Sequence, residues 1–130
     1  MVIDTSAIVA ILMQEPEAER FTRAIIVAPT RLLSAATLVE VGLLIQYRFG
    51  DDGSRDLDSL LSKLRVEIVA VTEQQAALAR QAHRRYGKRL HPAGLNYCDC
   101  FSYALAQDKG ESLLSKGADF TRTDLQVASY

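Results

Sequence analysis

Four acidic residues, Asp4, Glu40, Asp99 and Asp119, stand where a carboxylate can do more than solvate a surface. Asp4 follows the apolar run Met1-Val2-Ile3 and so sits at the carboxyl end of a strand, the edge of an open α/β sheet at which ligands bind. A lone Asp there satisfies a turn equally well. Asp99 lies in LNYCDCFSYALAQ, residues 95–107, where Asn96 can cap a helix and place Asp99 at the third helical position, near the positive end of the dipole. Taken alone it reads as a capping-box acid, with Asp in place of Glu. Glu40 lies inside an apolar helix between Val39 and Val41; it either points out at the helix edge or faces a cation or polar cleft. Asp119, in Lys116-Gly117-Ala118-Asp119-Phe120, follows another short strand and either faces the same cleft or caps the helical stretch after it.

Carboxylates brought together repel and raise each other's pKa unless a cation occupies the space between them. An oxygen-only set with no Cys or His at ligand spacing favours a hard ion, Mg²⁺ or Mn²⁺. The chemistry that uses such a site is phosphodiester hydrolysis, in which the metal acidifies an attacking water, clamps phosphoryl oxygens and stabilises the leaving alkoxide.

The elements that must position these acids alternate between strand and helix. Met1-Val2-Ile3 reads as a strand buried on both faces, followed by a helix from Ala7 to about Met13 that Thr5 or Ser6 can cap. Glu15-Pro16-Glu17 opens a second helix through Ala18, Phe21, Ile25 and Ile26. Arg31 to Ser34 is a second strand, and Ala35 to Phe49 a long helix carrying Glu40. Gly50-Asp51-Asp52-Gly53-Ser54 reads as a surface turn ending that helix, and Arg55 to Leu64 as a further helix. Val66 to Val71 is the strongest strand pattern. Thr72 and Gln75 form a capping box for a helix running to Tyr86 and stopped by Gly87. After the helix of Asp99, residues 112–115 form a fourth strand, and Leu125, Val127 and Ala128 suggest a last edge strand. The alternation implies one domain, residues 1–130, with a parallel sheet between two helical layers.

The composition narrows the partners. At 48% hydrophobic, 130 residues suffice for one packed domain, and a net charge of -1 excludes a uniformly basic nucleic-acid binder. The one basic concentration is local: Arg80, Arg84 and Arg85, then Lys88 and Arg89, immediately upstream of Asp99. It matches a phosphate backbone, with Tyr86 as a stacking surface, or else it is a solvated helix face. His83 and His91 lack ligands at metal spacing and read as exposed polar residues. Cys98 and Cys100 suit neither a disulfide nor zinc and read as packing residues in a reducing compartment. No run reaches membrane-spanning length and the N-terminus lacks a basic leader, so the expectation is a soluble cytoplasmic protein.

Four segments, MVIDTSA at the N-terminus, VE at 39–40, LNYCDCFSYALA and LLSKGADF, resemble the PIN-domain ribonucleases, specifically the VapC toxins of VapBC toxin-antitoxin pairs, over essentially the whole chain. The resemblance implies a three-layer α/β/α sandwich, with Asp4, Glu40 and Asp99 as acidic metal-binding positions and Thr5 or Ser6 holding a metal-bound water. It implies a Mg²⁺-dependent (or Mn²⁺-dependent) endoribonuclease that cuts a tRNA or rRNA loop to leave 5′-phosphate and 3′-hydroxyl ends. It also implies a homodimer and a VapB-type antitoxin whose C-terminal arm blocks the cleft, with the five basic residues on RNA phosphates. Two positions depart from the pattern: Cys98 replaces a usual Gly and crowds Asp99, and Gly117 replaces an Asp or Asn, which leaves Asp119 as the fourth acid. Two other readings differ in what they require. A receiver-type phosphoacceptor needs adjacent acids after the first strand, where this chain has Asp4 alone; a PIN-like module that only binds protein or RNA requires a weakened site.

Overall fold

Three of the four strands are two or three residues long and wholly buried, too short to hold together except between two helical layers. The computed structural model describes residues 1–130. In chain order the elements are β1 (Val2–Ile3), α1 (Thr5–Leu12), α2 (Ala18–Val27), β2 (Leu32–Ser34), α3 (Ala35–Lys63), β3 (Glu67–Val69), α4 (Glu73–Tyr86), α5 (Asp99–Lys109) and β4 (Leu113–Leu114), followed by a 3₁₀ turn at Phe120–Arg122. All strand pairings are parallel, in the order β3-β2-β1-β4.

The period of two in a strand sorts the core into two halves. Val2, Leu32 and Leu113 are register partners, and their side chains join one apolar cluster with Ala79 and Ala82 of α4 and Ala104 and Leu105 of α5. Their neighbours Ile3, Leu33 and Leu114 point the other way, into a second cluster with Ile8 of α1, Phe21 and Ile25 of α2, and Val41, Ile45 and Leu57 of α3. The result is the three-layer α/β/α sandwich expected from the alternation. The winding runs from β1 to β2 to β3 on one side and then crosses to β4 on the other, so the carboxyl ends of β1 and β4 border the point at which it reverses. That is where an open α/β sheet forms its crevice.

Several local expectations change. The cap of α1 is Asp4 itself, whose side chain accepts from the Ser6 N–H, and the helix starts at Thr5. Pro16 stays in the turn before α2, which starts at Ala18. The surface turn at residues 50–54 is a kink: Gly50 adopts φ 63° and ψ −154°, and the helix continues beyond it to Lys63. Gln46 spans the kink, donating to Asp51 Oδ1 at 2.9 Å and accepting from the Ser54 hydroxyl. The strand at 66–71 contracts to Glu67–Val69 at the sheet edge, where Glu67 and Ile68 are exposed. Thr72 caps α4 as expected, but Gln75 does not return the bond; its Nε2 donates to Asp108 Oδ2 of α5 at 2.9 Å. The last edge strand reduces to a single parallel bridge between Leu113 and Val127.

Candidate active site

The site is built from three places at which the backbone leaves the sheet. After β1 the chain turns directly into α1, and the Asp4 side chain folds over the first turn, 4% exposed. Its Oδ2 accepts from the Ser6 N–H at 3.0 Å and the Ser6 hydroxyl at 2.7 Å, and its Oδ1 from the Ser102 hydroxyl at 2.8 Å. Three donors compensate the burial of a charged group. Ser102 is fully buried on α5, and its Oγ lies 3.2 Å from Thr37 Oγ1. Ser102 has a single proton, already given to Asp4, so Thr37 is the donor in that pair. Ser6 also accepts from the Lys116 N–H at 2.9 Å, which ties the loop after β4 to Asp4.

Glu40 lies near the start of α3, half-buried, and accepts from the Thr5 hydroxyl at 2.5 Å. Glu40 thus turns inward to Thr5 and Cys98 rather than out to solvent. Asp99 opens α5 and makes a reciprocal pair with Asn96: the Asn96 N–H donates to Asp99 Oδ2 at 2.8 Å and the Asp99 N–H donates to Asn96 Oδ1 at 2.9 Å. The reciprocal bonds expected of a capping box are present, but they close the turn before α5, which starts at Asp99 itself rather than just after Asn96. Burial, then the neighbouring charges of Asp4, Glu40 and Asp119, push Asp99 up to about 6, against the Asn96 N–H, which lowers it. The four acids are thus close enough to repel, although they come from residues 4, 40, 99 and 119 of the chain. Asp119 is the outermost, exposed, and it makes no side-chain cap bond to the 3₁₀ turn it precedes.

Cys98 belongs to the same cluster. Burial, then the charges of Glu40, Asp99 and Asp4, push its thiol up to about 12, so it stays protonated beside the Glu40 carboxylate. Cys100 is likewise raised, to about 11, by burial and by Asp99. Neither forms a disulfide.

The donor set fits a hard divalent cation. It is all oxygen, and such an ion would relieve the repulsion from Asp4, Glu40 and Asp119 that adds to burial in raising Asp99. No three His, Cys, Asp or Glu side chains lie close enough together to hold an ion by themselves, so a cation at this edge would take much of its shell from water and substrate oxygens, as Mg²⁺ commonly does.

The basic residues divide. Arg80 and Arg84 are exposed on α4, and Lys88 and Arg89 are exposed on the turn after it. Arg85 bonds Asp124 Oδ2 at 3.2 Å and lies over the Tyr86 ring. Tyr86 itself is buried against Tyr103 and His91, so it is core and offers no stacking surface. His91 accepts from the Ala93 N–H through Nδ1 and shapes that loop. Sequence reasoning passed over Ser102 and Thr37. The available signal was a hydroxyl one helical turn beyond Asp99 on a helix otherwise buried through small and apolar side chains.

A parallel three-layer sandwich with acids gathered at its carboxyl edge defines a class, and comparison with known proteins names it. The PIN domain model matches residues 1–125. Ribonuclease VapC30 of Mycobacterium tuberculosis is 54% identical over 99% of this chain and 98% of its own length, and ribonuclease VapC of Mycolicibacterium smegmatis is 53% identical over 96% and 97%. Among solved structures, VapC20 of M. tuberculosis, a sarcin-ricin loop cleaving toxin, superposes with a TM-score of 0.78 at 18% identity, covering 99% of this chain and 98% of the other. VapBC2 of Rickettsia felis, bound to a DNA fragment from its promoter, gives 0.79 at 16% identity over 99% and 97%. The chain belongs to the PIN-domain family and, within it, to the VapC ribonucleases, the endoribonuclease toxins of toxin-antitoxin systems. PIN-domain nucleases generally depend on a divalent metal.

Proposed function

We propose that this toxin is a Mg²⁺-dependent or Mn²⁺-dependent endoribonuclease that cuts a tRNA or rRNA loop and leaves 5′-phosphate and 3′-hydroxyl ends. The observation that carries the reading is the gathering of Asp4, Glu40 and Asp119 around a half-buried Asp99, whose pKa is pushed up to about 6 by burial first and then by their charges. When bound, the ion offsets charge on the phosphoryl oxygens and acidifies the attacking water. Asp4 and Asp99 would hold it, with Glu40 and Asp119 completing the negative field. Ser6 and Ser102 fix both oxygens of Asp4, while Thr5 fixes Glu40. The Thr5 and Ser6 hydroxyls also orient the water for in-line attack. Arg80, Arg84, Lys88 and Arg89 contact RNA phosphates and set the strand across the cleft, while Arg85 stays engaged by Asp124.

The toxin acts in the cytoplasm as a homodimer and is silenced by a VapB-type antitoxin whose C-terminal arm covers the acids. Support for the partner comes from relatives of the same fold seen in toxin-antitoxin complexes, from Klebsiella pneumoniae among others. No helix is long and apolar enough to cross a membrane. The test is RNA-end sequencing after expression of the wild type and Asp99→Asn. Wild-type-specific 5′-phosphate ends that vanish in the variant, with its circular dichroism unchanged, are the expected result. Cleavage by Asp99→Asn, or full activity in excess chelator, refutes the mechanism. RNA binding without cleavage by the wild type points instead to a pure binding module.

A further inference from the structure

We propose that the groove between α4 and α5 is a base-binding subsite, taking one unstacked nucleobase of a single-stranded RNA whose scissile phosphate lies at the acidic cluster. The proposal rests on the ribonuclease reading above. The groove has a volume of about 590 Å³ and is predominantly apolar. Its floor is open because α4 presents alanines, Ala76 and Ala79, where larger side chains would fill it. Its wall is aromatic: Tyr97, 76% exposed, meets Phe101 edge to face with ring centroids 5.1 Å apart. An exposed tyrosine braced by a second ring is a ready stacking platform, and every base offers a π-face to it.

The rim and the location select the occupant. Arg80 and Arg84 line the same groove, and neither has an acid partner, whereas the adjacent Arg85 is paired with Asp124. A flat apolar base flanked by phosphates matches an apolar floor with a cationic rim. A second copy docked through a two-fold axis here would set these arginines against themselves. Tyr97 and Phe101 stand two residues before and two after Asp99, at the opening of α5. None of the acids lines the groove, and residues two apart on a helix face different sides, so a base held there is joined to the phosphate at the acids across the opening turn of α5, and the groove reads a nucleotide near the cut.

The test uses fluorescein-labelled RNA octamers in chelator, one oligoadenylate and one of equal charge with abasic residues, alongside cleavage of a bacterial tRNA and rRNA mixture in Mg²⁺. Tyr97→Ala removes the platform; Ala76→Leu fills the floor from the other helix, so a local change in α5 cannot account for both. Each variant is expected to weaken oligoadenylate binding about tenfold, the scale of stacking one base, and to leave abasic RNA binding unchanged. Each should lower kcat/KM by a similar factor through KM. Unchanged octamer affinity overturns the proposal, as does equal loss for both octamers. Conversion of a sedimenting dimer to monomer by the variants also overturns it, since the groove is then an interface between copies. If the wild type cuts nothing yet binds oligoadenylate in a Tyr97-dependent way, the subsite stands and the ribonuclease reading falls.

Discussion

Asp4 illustrates how a buried carboxylate is held for use: each oxygen has a hydroxyl donor, and one of those donors is itself buried and oriented by Thr37. Deleting the Ser102 hydroxyl leaves the buried carboxylate short of a charge-assisted bond and Thr37 without its acceptor. Ser102→Ala should therefore cost about 1–3 kcal/mol in urea denaturation at pH 7 and weaken Mg²⁺ binding, measured by calorimetry. Asp99 makes the opposite prediction. Its folded pKa, about 6, lies above the ordinary value of 3.8, so the native metal-free protein holds the proton more tightly than the unfolded chain. Stability is then greatest below about pH 4 as far as this group is concerned, and it falls as pH rises to about 6 and the carboxylate ionises among like charges. Because Asp99 is partly solvated, the penalty amounts to on the order of 1–2 kcal/mol. In chelator at pH 7, Asp99→Asn should melt about 3–8 °C above the wild type, with the gap closing near pH 4. Added Mg²⁺ should raise only the wild-type midpoint, and an Asp99→Asn protein no more stable than wild type in chelator would refute this account of the acid cluster.

The helices carry these residues, and α3 is the one with a built-in joint. Gly50 occupies a backbone region essentially closed to residues with a Cβ, while Gly42, eight residues earlier, is helical with open space around it. The same substitution should thus act in opposite directions. Gly50→Ala is expected to destabilise by about 1–3 kcal/mol and Gly42→Ala to stabilise by about 0.5–1 kcal/mol, both read from chemical denaturation midpoints. The joint also shows what a sequence conveys. Gly-Asp-Asp-Gly-Ser reads as a turn because local chemistry favours a stop, yet Gln46 reaches over the break and Gly53 packs on Ile45 and Phe49, so the second half continues. The Val66–Val71 pattern likewise overstated β3, an edge strand on which Glu67 and Ile68, pointing to opposite faces, are both exposed. Asn96 and Asp99 were legible because their bonds close within three residues. Ser102 was not, because its partner lies 98 residues away and only folding reveals it.

At the scale of the whole molecule, a net charge of -1 hides a local asymmetry: Asp4, Glu40, Asp99 and Asp119 lie at the carboxyl edge of the sheet, while Arg80, Arg84, Lys88 and Arg89 lie exposed on α4 and the turn after it. On the proposed function, the second region draws in the RNA strand, since the first repels a polyanion in the absence of a divalent ion. Binding in chelator should therefore depend steeply on salt. Each phosphate neutralised on single-stranded RNA contributes about 0.7 to the slope of log affinity against log salt. With Arg80, Arg84, Lys88 and Arg89 exposed and Arg85 engaged by Asp124, four contacts set a slope of about 2.8 in magnitude. Replacing Arg80 and Arg84 together by Gln should bring it down by about 1.4, while Arg85→Gln should change it little and act mainly on the packing of Asp124 and Tyr103. Anisotropy titrations from about 50 to about 300 mM KCl measure these slopes directly. A slope that ignores the Arg80 and Arg84 replacements would mean that RNA approaches from another face, and the cationic face of α4 would then have no part in presenting RNA to the acids.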